Sequence, residues 1–428
     1  MTIGSNSLVV SDSKSPLNLF KKHGYYQVGN QVFNYKIRAL QEATRTNQLA
    51  QWVFNDDVFS AMDWQTPLHL SLNEIYRIRA QQLRQKYDYL VLYFSGGADS
   101  TVALQSFVNN NIKLDEIVVG WPVSQSQGTY TPNFNDTSAH NMMSEWDYSI
   151  KPKLDWIAQY HPDIRITVCD ILQTPKNNHF SEDLMTLVDN HSYIGINRNQ
   201  EFDLVLRERT KTHPNIAGIA GTAPLECAVA DGKYLVTYFI DSAINGFLKN
   251  DESKNDYVRN IEFFFWTPDF PELVREQSHV MMNYLNANPD AQTLLPHVKL
   301  KNQGFDFVYQ PDAEYRRTLK KKVLYPSWKE TLQVDKPGDV IGFSAWQGWW
   351  HNNRHSDEFV SSWESAVSSE ISLIDIKYFW TRDQREKPHN LLSKSLMHNP
   401  SNNYVVGYAS MISKFYPVGR LNSTNNHK

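Results

Sequence analysis

Tyr89-Leu-Val-Leu-Tyr-Phe94 runs straight into Ser95-Gly-Gly-Ala-Asp-Ser-Thr101, and the reading of this stretch decides the fold. Every residue from Tyr89 to Phe94 is large and apolar or aromatic, and no polar residue alternates with them. Such a run suits a strand buried on both faces of a parallel sheet. Gly96 and Gly97 then let the backbone turn sharply and approach a ligand. Beyond Thr101, Leu104, Phe107 and Val108 recur at helical spacing, so a helix follows the turn. Strand, hydroxyl-bearing glycine turn and helix N-terminus together make an anion site. The first helical turn carries unpaired N–H groups and the positive end of the helix dipole.

The turn has no Gly-Lys-Ser/Thr, and so lacks the lysine that a Walker loop offers to the β- and γ-phosphates. Ser95, Gly96, Gly97, Asp99 and Ser100, with Ala98 in the variable place, resemble instead the Ser-Gly-Gly-x-Asp-Ser loop of the adenine nucleotide α-hydrolase-like (PP-loop) ATP pyrophosphatases. A turn that merely joins a strand to a helix is the competing reading. Asp99-Ser100, the buried strand before it and the helix after it weigh against that. The resemblance implies cleavage of ATP between its α- and β-phosphates with Mg²⁺, and transfer of AMP to a substrate oxygen. It implies that Ser95, Gly96, Gly97, Ser100 and Thr101 hold pyrophosphate, while Asp99 orients the loop or binds the metal through water.

Ile75-Tyr-Arg-Ile-Arg-Ala80, Tyr87-Asp-Tyr-Leu90 and Phe265-Trp-Thr-Pro-Asp269 extend the likeness. They are similar to stretches of larger PP-loop proteins from viruses of bacteria, labelled sulfonucleotide (PAPS) reductase-like or asparagine-synthase-like. The chain lacks the Glu-Cys-Gly-x-His of sulfonucleotide reductases. It also carries Thr2 where glutamine-dependent asparagine synthetases place a cysteine nucleophile.

The chain has 428 residues, a length that suggests about two or three domains. Its 41% hydrophobic and 21% charged residues are those of an ordinary globular protein. A net charge of −4 provides no global basic field for nucleic acid. No apolar run approaches the ~20 residues that span a bilayer, and no apolar signal core follows Met1, so a cytoplasmic protein with no membrane partner is expected. Cys169 and Cys227 are the only cysteines. They argue against a disulfide scaffold and a cysteine zinc cluster, leave a single pair that could serve a sulfur relay, and both read as small buried side chains.

Residues 25–33 read as a strand and 35–44 as a helix. Ser71, with Glu74 three residues later, is a capping box. It opens a helix whose apolar stripe is Leu72, Ile75, Ile78 and Leu83, with Arg77, Arg79 and Arg84 as a solvated face from which one could reach a phosphate or an acidic substrate. Residues 112–120 form a second strand. In a doubly wound sheet ligands bind at strand carboxyl ends where the winding reverses, which puts the adenine near Tyr93, Phe94, Val119 and Gly120. The polar residues 121–140 read as a lid or a surface loop, and 141–160 as helical. A third strand over 164–168 delivers Asp170 to the same crevice, for Mg²⁺ or a ribose hydroxyl, or as the cap of a following helix.

Ile216-Ala-Gly-Ile-Ala-Gly221 has the small residues that a close backbone approach needs, and Asp231-Gly232 marks a hairpin. The PP-loop resemblance implies a second motif facing the α-phosphate and acceptor. Glu226 and Asp241 are its candidates, with a helix cap as the even alternative for Asp241. His279 reads as packed. His351 and His355 share a helical spacing without the Glu of a metalloprotease motif, and read as solvated. Arg316, Arg317, Lys320, Lys321 and Lys322 form a basic face of the kind that is usually solvated, and it is the one place that could touch nucleic acid or a triphosphate. Trp328, Trp346, Trp349, Trp350, Trp363 and Trp380 read as aromatic packing before base-stacking platforms.

These readings divide the chain into an N-terminal region (1–70), a PP-loop nucleotide-binding domain (71–250) and a C-terminal helical, aromatic-rich region (251–428). The expected fold is α/β, a doubly wound parallel sheet of PP-loop (HUP-like) type with additional N-terminal and C-terminal α+β regions. The expected activity is an AMP-forming ATP pyrophosphatase with ATP and Mg²⁺. It activates an oxygen of an unidentified small-molecule or nucleic-acid acceptor for a nitrogen nucleophile, with Asp99, Ser100, Glu226 and Asp241 as catalytic candidates. Sulfur chemistry on a sulfonucleotide, and a nucleotide-binding scaffold without turnover, are the alternatives.

Overall fold

A computed structural model describes residues 9–10, 23–33, 36–121, 146–170, 199–221, 225–241, 260–301, 304–309, 313–325, 379–380, 407–408 and 411–422. The polar loop after residue 121, His351, His355 and the tryptophans between 328 and 363 lie outside them.

β1 (Val9–Val10), β2 (Tyr25–Val28), β3 (Gln31–Phe33) and β4 (Ala50–Val53) form a sheet in the order β1-β3-β2-β4. α1 (Lys36–Thr46) precedes β4. The single strand expected over 25–33 is a hairpin, because Gly29 at φ +57° folds the chain back between Val28 and Gln31. α2 (Asp56–Ala61) leads on to α3 (Leu72–Lys86). The capping box is formed: Glu74 N–H donates to Ser71 Oγ at 3.2 Å, and Ser71 N–H to Glu74 Oε2 at 2.8 Å.

The chain continues through β5 (Tyr89–Tyr93), α4 (Ala98–Val108) and β6 (Glu116–Trp121). A π-helical turn, Trp146–Ile150, runs into α5 (Lys151–Tyr160), followed by β7 (Arg165–Asp170), α6 (Asn199–Thr210) and β8 (Ile216–Ala220). Next come the hairpin β9 (Glu226–Ala230) and β10 (Tyr234–Tyr238), β11 (Ile261–Phe263) and α7 (Glu272–Ala287). β12 (His297–Lys301), β13 (Gly304–Tyr309) and α8 (Ala313–Leu324) follow. After the short pair β14 (Phe379–Trp380) and β15 (Gly407–Tyr408) comes β16 (Tyr416–Arg420).

β11-β8-β5-β6-β7 is a five-stranded sheet in which every pair is parallel. Helices cover both faces, which is why the β5 sequence does not alternate. Leu90, Leu92, Ile117, Val119 and Ile219 join the main core with Leu104 of α4 and Leu154 of α5. Val91, Val118 and Ile216 pack on the opposite face against Phe202 and Leu206 of α6. The winding reverses between β5 and β8, because the chain leaves the sheet at the β7 edge and re-enters on the far side of β5. The switch point therefore lies between the first and fourth strands of this sheet, not between its first and second.

A second sheet has the order β13-β12-β9-β10-β16. Glu226–Tyr238, expected within the nucleotide domain, belongs to this sheet, while Ile261–Phe263, expected outside it, is the fifth parallel strand. A boundary at 250 cuts both sheets. One aromatic cluster joins the N-terminal region to the rest: Phe59 lies 4.5 Å from Phe239, Phe239 4.9 Å from Trp266, and Trp64 stacks on Tyr416 at 5.0 Å, ring centre to ring centre. Among the described residues no helix is long and apolar enough to cross a membrane.

Charged networks fill the amino ends of the parallel strands. Arg79, expected on a solvated face, is only 1% exposed. It pairs with Glu262 of β11 at 3.2 Å and donates to the carbonyls of Phe263 and Phe264. Tyr87 and Lys86 also donate to Glu262. Arg84 pairs with Asp115 at 2.6 Å. Glu116, opening β6, is held by Arg209, Tyr89 and Thr167.

Candidate functional site

The turn after β5 is held from within. Phe94 N–H donates to Val118 O at 2.9 Å, which carries the chain one residue past the strand. The hydroxyls of Ser95 and Ser100 lie 3.2 Å apart, and Ser95 N–H donates to Ser100 Oγ at 3.3 Å. Ser100 Oγ donates in turn to Gly97 O at 3.2 Å. Gly97 is the N-cap of α4 and brings no side chain to its first turn. Gly96 takes φ +71°, and a Cβ on it would lie 2.7 Å from Ile150 Cγ1 and 3.3 Å from Ile150 Cα. Only glycine fits there. Thr101 is fully buried, and its hydroxyl has no hydrogen-bond partner among the described residues.

The switch point abuts this turn. Gly221 follows β8, and a Cβ on it would stand 2.9 Å from Ser100 Cα and 3.3 Å from Asp99 O. Asp99 Oδ1 accepts from the Tyr325 hydroxyl at 3.0 Å. Tyr325 immediately follows α8, where Tyr76 O–H fastens Leu324 O at 3.0 Å and Gln277 Nε2 donates to the Tyr76 oxygen. Burial, and then the charge of Asp99, hold the Tyr325 phenol well above its usual range, so it stays a donor. Glu226, a few residues beyond Gly221, is partly buried and ion-paired with Lys320 of α8. Asp99, Tyr325, Glu226 and Lys320 thus border one region, where β5 and β8 end.

Other candidates sit elsewhere. Phe94 and Val119 are core residues behind the loop, at about 1% exposure. Gly120 and Trp121 of β6 pair with Cys169 and Asp170 of β7. Asp170 reaches the carboxyl edge two strands from β5, roughly 10 Å along the sheet. Asp241 is fully buried. Its Oδ2 accepts from Tyr26 O–H at 2.9 Å and its Oδ1 from Met411 N–H at 3.0 Å. That carboxylate ties the N-terminal sheet to the segment before β16, and the structure does not bring it to the loop. Its expected role as a cap falls on residues outside the described ones.

Two lysines complete the site, one of them without a clear sequence signal. Lys153 of α5 is 3% exposed, and its Nζ donates to Gly96 O at 2.6 Å and to Ser149 Oγ at 3.1 Å. Ser149 Oγ also donates to Gly96 O, at 3.0 Å. Lysine at the start of a polar helix carries no signal of burial, and the i, i+4 spacing of Ser149 and Lys153 is the only clue. Lys320, expected on a solvated basic face, turns inward, while Lys322 is exposed.

Asp99 supplies the one carboxylate of this turn, directed at Tyr325, while the hydroxyls of Ser95 and Ser100 lie 3.2 Å apart. Among the described residues no cluster of three or more His, Cys, Asp or Glu gathers to cage a metal. Mg²⁺ commonly takes one or two carboxylates and completes its shell with water and substrate phosphates, and a single carboxylate fits that mode.

No protein-family model, no curated protein and no solved structure matches the chain, so its function is argued from this geometry.

Proposed function

We propose that the protein is a PP-loop enzyme, with a HUP-like nucleotide-binding sheet, that cleaves ATP to AMP and pyrophosphate and activates an acceptor oxygen. The observation that carries this is the placement of the Ser95–Ser100 turn. It joins a doubly buried strand to a helix N-terminus at the reversal of a parallel sheet, against the end of β8 at Gly221. The N–H groups of the turn and the Ser95 and Ser100 hydroxyls bind the departing pyrophosphate. Asp99 is the residue to hold Mg²⁺, which when bound neutralises charge on the phosphate oxygens.

An acceptor oxygen attacks the α-phosphorus in line, and the bond to the bridging α–β oxygen breaks as pyrophosphate leaves. A nitrogen nucleophile then displaces AMP from the activated acceptor. Tyr325 aims the Asp99 carboxylate, and the Glu226–Lys320 pair lies on the acceptor side, where it meets charge on the incoming group. Asp241 has no part in this chemistry. The expected location is the cytoplasm, where ATP is supplied. The sulfonucleotide alternative needs an exposed, reactive cysteine: Cys227 is buried, while Cys169 of β7, expected to be buried, is partly exposed.

The test is ATP cleavage by the purified protein with Mg²⁺ and host-cell extract, alongside Asp99→Ala. AMP and pyrophosphate from the wild type and neither from the variant support the proposal. ADP and phosphate instead would sink it. ATP binding without cleavage across many extracts would favour a non-catalytic nucleotide-binding module.

A further inference from the structure

We infer that Lys153 is the positioning residue of the phosphate loop. With Ser149 it holds the Gly96–Gly97 peptide so that the N–H of Gly97 faces the bound anion, and it brings from α5 a cation that the loop's own sequence lacks. The inference rests on the pyrophosphate-loop reading and deepens it.

Gly96 O receives two donors, Lys153 Nζ at 2.6 Å and Ser149 Oγ at 3.0 Å, one for each carbonyl lone pair. A trans peptide is planar, with its C=O and N–H pointing opposite ways, and no cis bond occurs among the described residues. Fixing the Gly96 carbonyl toward α5 therefore fixes the Gly97 N–H toward the inside of the turn. There, among the described residues, it meets a long contact to Ser95 Oγ, at 3.4 Å. An anionic oxygen makes a shorter and stronger bond to such a donor.

The anchor is built into the backbone. Ser149 and Lys153 fall on one face of the π-to-α segment, and Ile150 between them presses on Gly96 so closely that no Cβ fits. Lys153 Nζ stands behind the Gly96–Gly97 peptide, a single peptide unit from the proposed phosphate position. A Walker loop places its lysine in the loop itself. Here the charge arrives from a helix that follows the second parallel strand, so the Ser-Gly-Gly turn remains short.

The experiment is calorimetric titration of the full chain with inorganic pyrophosphate, ATP and AMP, for the wild type, Lys153→Met, Lys153→Arg and Ser149→Ala, with thermal unfolding of each. Lys153→Met is expected to weaken pyrophosphate and ATP binding about tenfold or more, with AMP affinity changed less than about twofold. Lys153→Arg should recover part of the loss. Unchanged pyrophosphate affinity in Lys153→Met overturns the inference. So does an equal loss for AMP and pyrophosphate, which marks a merely structural residue. If Lys153→Met fails to fold, Ser149→Ala decides: a selective loss for pyrophosphate supports the inference, and no loss overturns it. A wild type that binds neither ATP nor pyrophosphate sinks the pyrophosphate-loop reading and this inference with it. Wild-type binding with an indifferent Lys153 sinks this inference alone.

Discussion

Tyr325 donates its hydroxyl to Asp99 Oδ1 at 3.0 Å, joining residues 226 positions apart in the chain. The end of the C-terminal basic helix is thereby fastened to the one carboxylate of the Ser95–Ser100 turn. Removing the donor alone, in Tyr325→Phe, should leave the fold intact and weaken Mg²⁺-ATP binding by about tenfold, the size expected for a hydrogen bond to a charged group. Because the phenol is held well above its usual range, this bond should persist at alkaline pH. Wild-type affinity should then show no tyrosine titration even as pH passes the ordinary tyrosine value of about 10. Calorimetry across pH reads both effects.

Gly221 should tolerate no side chain. A Cβ there meets Ser100 Cα at 2.9 Å, and backbone cannot swing aside. Gly221→Ala should cost about 1–3 kcal/mol of stability and abolish pyrophosphate binding by shifting the turn. Gly232, in the β9–β10 hairpin, is the control. It has φ +70°, and a Cβ placed on it would meet nothing within 4 Å. Gly232→Ala should therefore cost about 1–2 kcal/mol from backbone strain and leave binding alone. Urea unfolding paired with titration separates the two.

The buried Arg79–Glu262 pair should be costly to break from one side. Glu262→Leu leaves the Arg79 guanidinium buried without its carboxylate, and a loss of about 3–5 kcal/mol is expected. Arg79→Met with Glu262→Leu should lose less than the sum of the single changes, because no uncompensated charge remains. Denaturant unfolding of the four proteins measures the coupling.

His279 gives the acid side of the stability profile. Its Nε2 lies 2.9 Å from Trp64 O, and burial first of all holds its pKa below the usual histidine range, partly opposed by that hydrogen bond. The folded chain therefore keeps the ring neutral at pH values where the unfolded chain has begun to protonate. Stability should be full above the ordinary histidine value of about 6.5 and fall as pH drops below it, levelling once the folded ring also protonates. His279→Gln should flatten the stability slope between about pH 7 and pH 5, as read by thermal unfolding.

What the chain displays locally is legible in its sequence. The unalternating run from Tyr89 to Phe94, the Ser71–Glu74 cap and the Asp231-Gly232 hairpin are each set by residues within a few positions of one another. What the sequence hides depends on partners far away. Arg79 reads as solvated because Glu262 lies 183 residues on. Asp241 reads as a phosphate-facing carboxylate because Tyr26 and Met411 are invisible from its neighbourhood. Lys153 reads as an ordinary helix residue, and Tyr325 draws no notice, until the turn they hold comes alongside. The switch point moves for the same reason: strand order across a sheet is a long-range property, and periodicity does not encode it.

The pairing of β16 with β10 also bears on how the protein is made. Roughly 180 residues separate the two strands, so at ordinary rates of synthesis the hairpin waits on the order of 10–40 s for its neighbour. During that interval the Tyr234–Tyr238 edge is a bare template for another chain, and the aromatic cluster around Phe239 lacks Tyr416. A nascent polypeptide can therefore assemble its parallel sheet first, but it stays adhesive until residues 416–420 leave the ribosome. Yield in the cell should be governed by how well that window is sheltered.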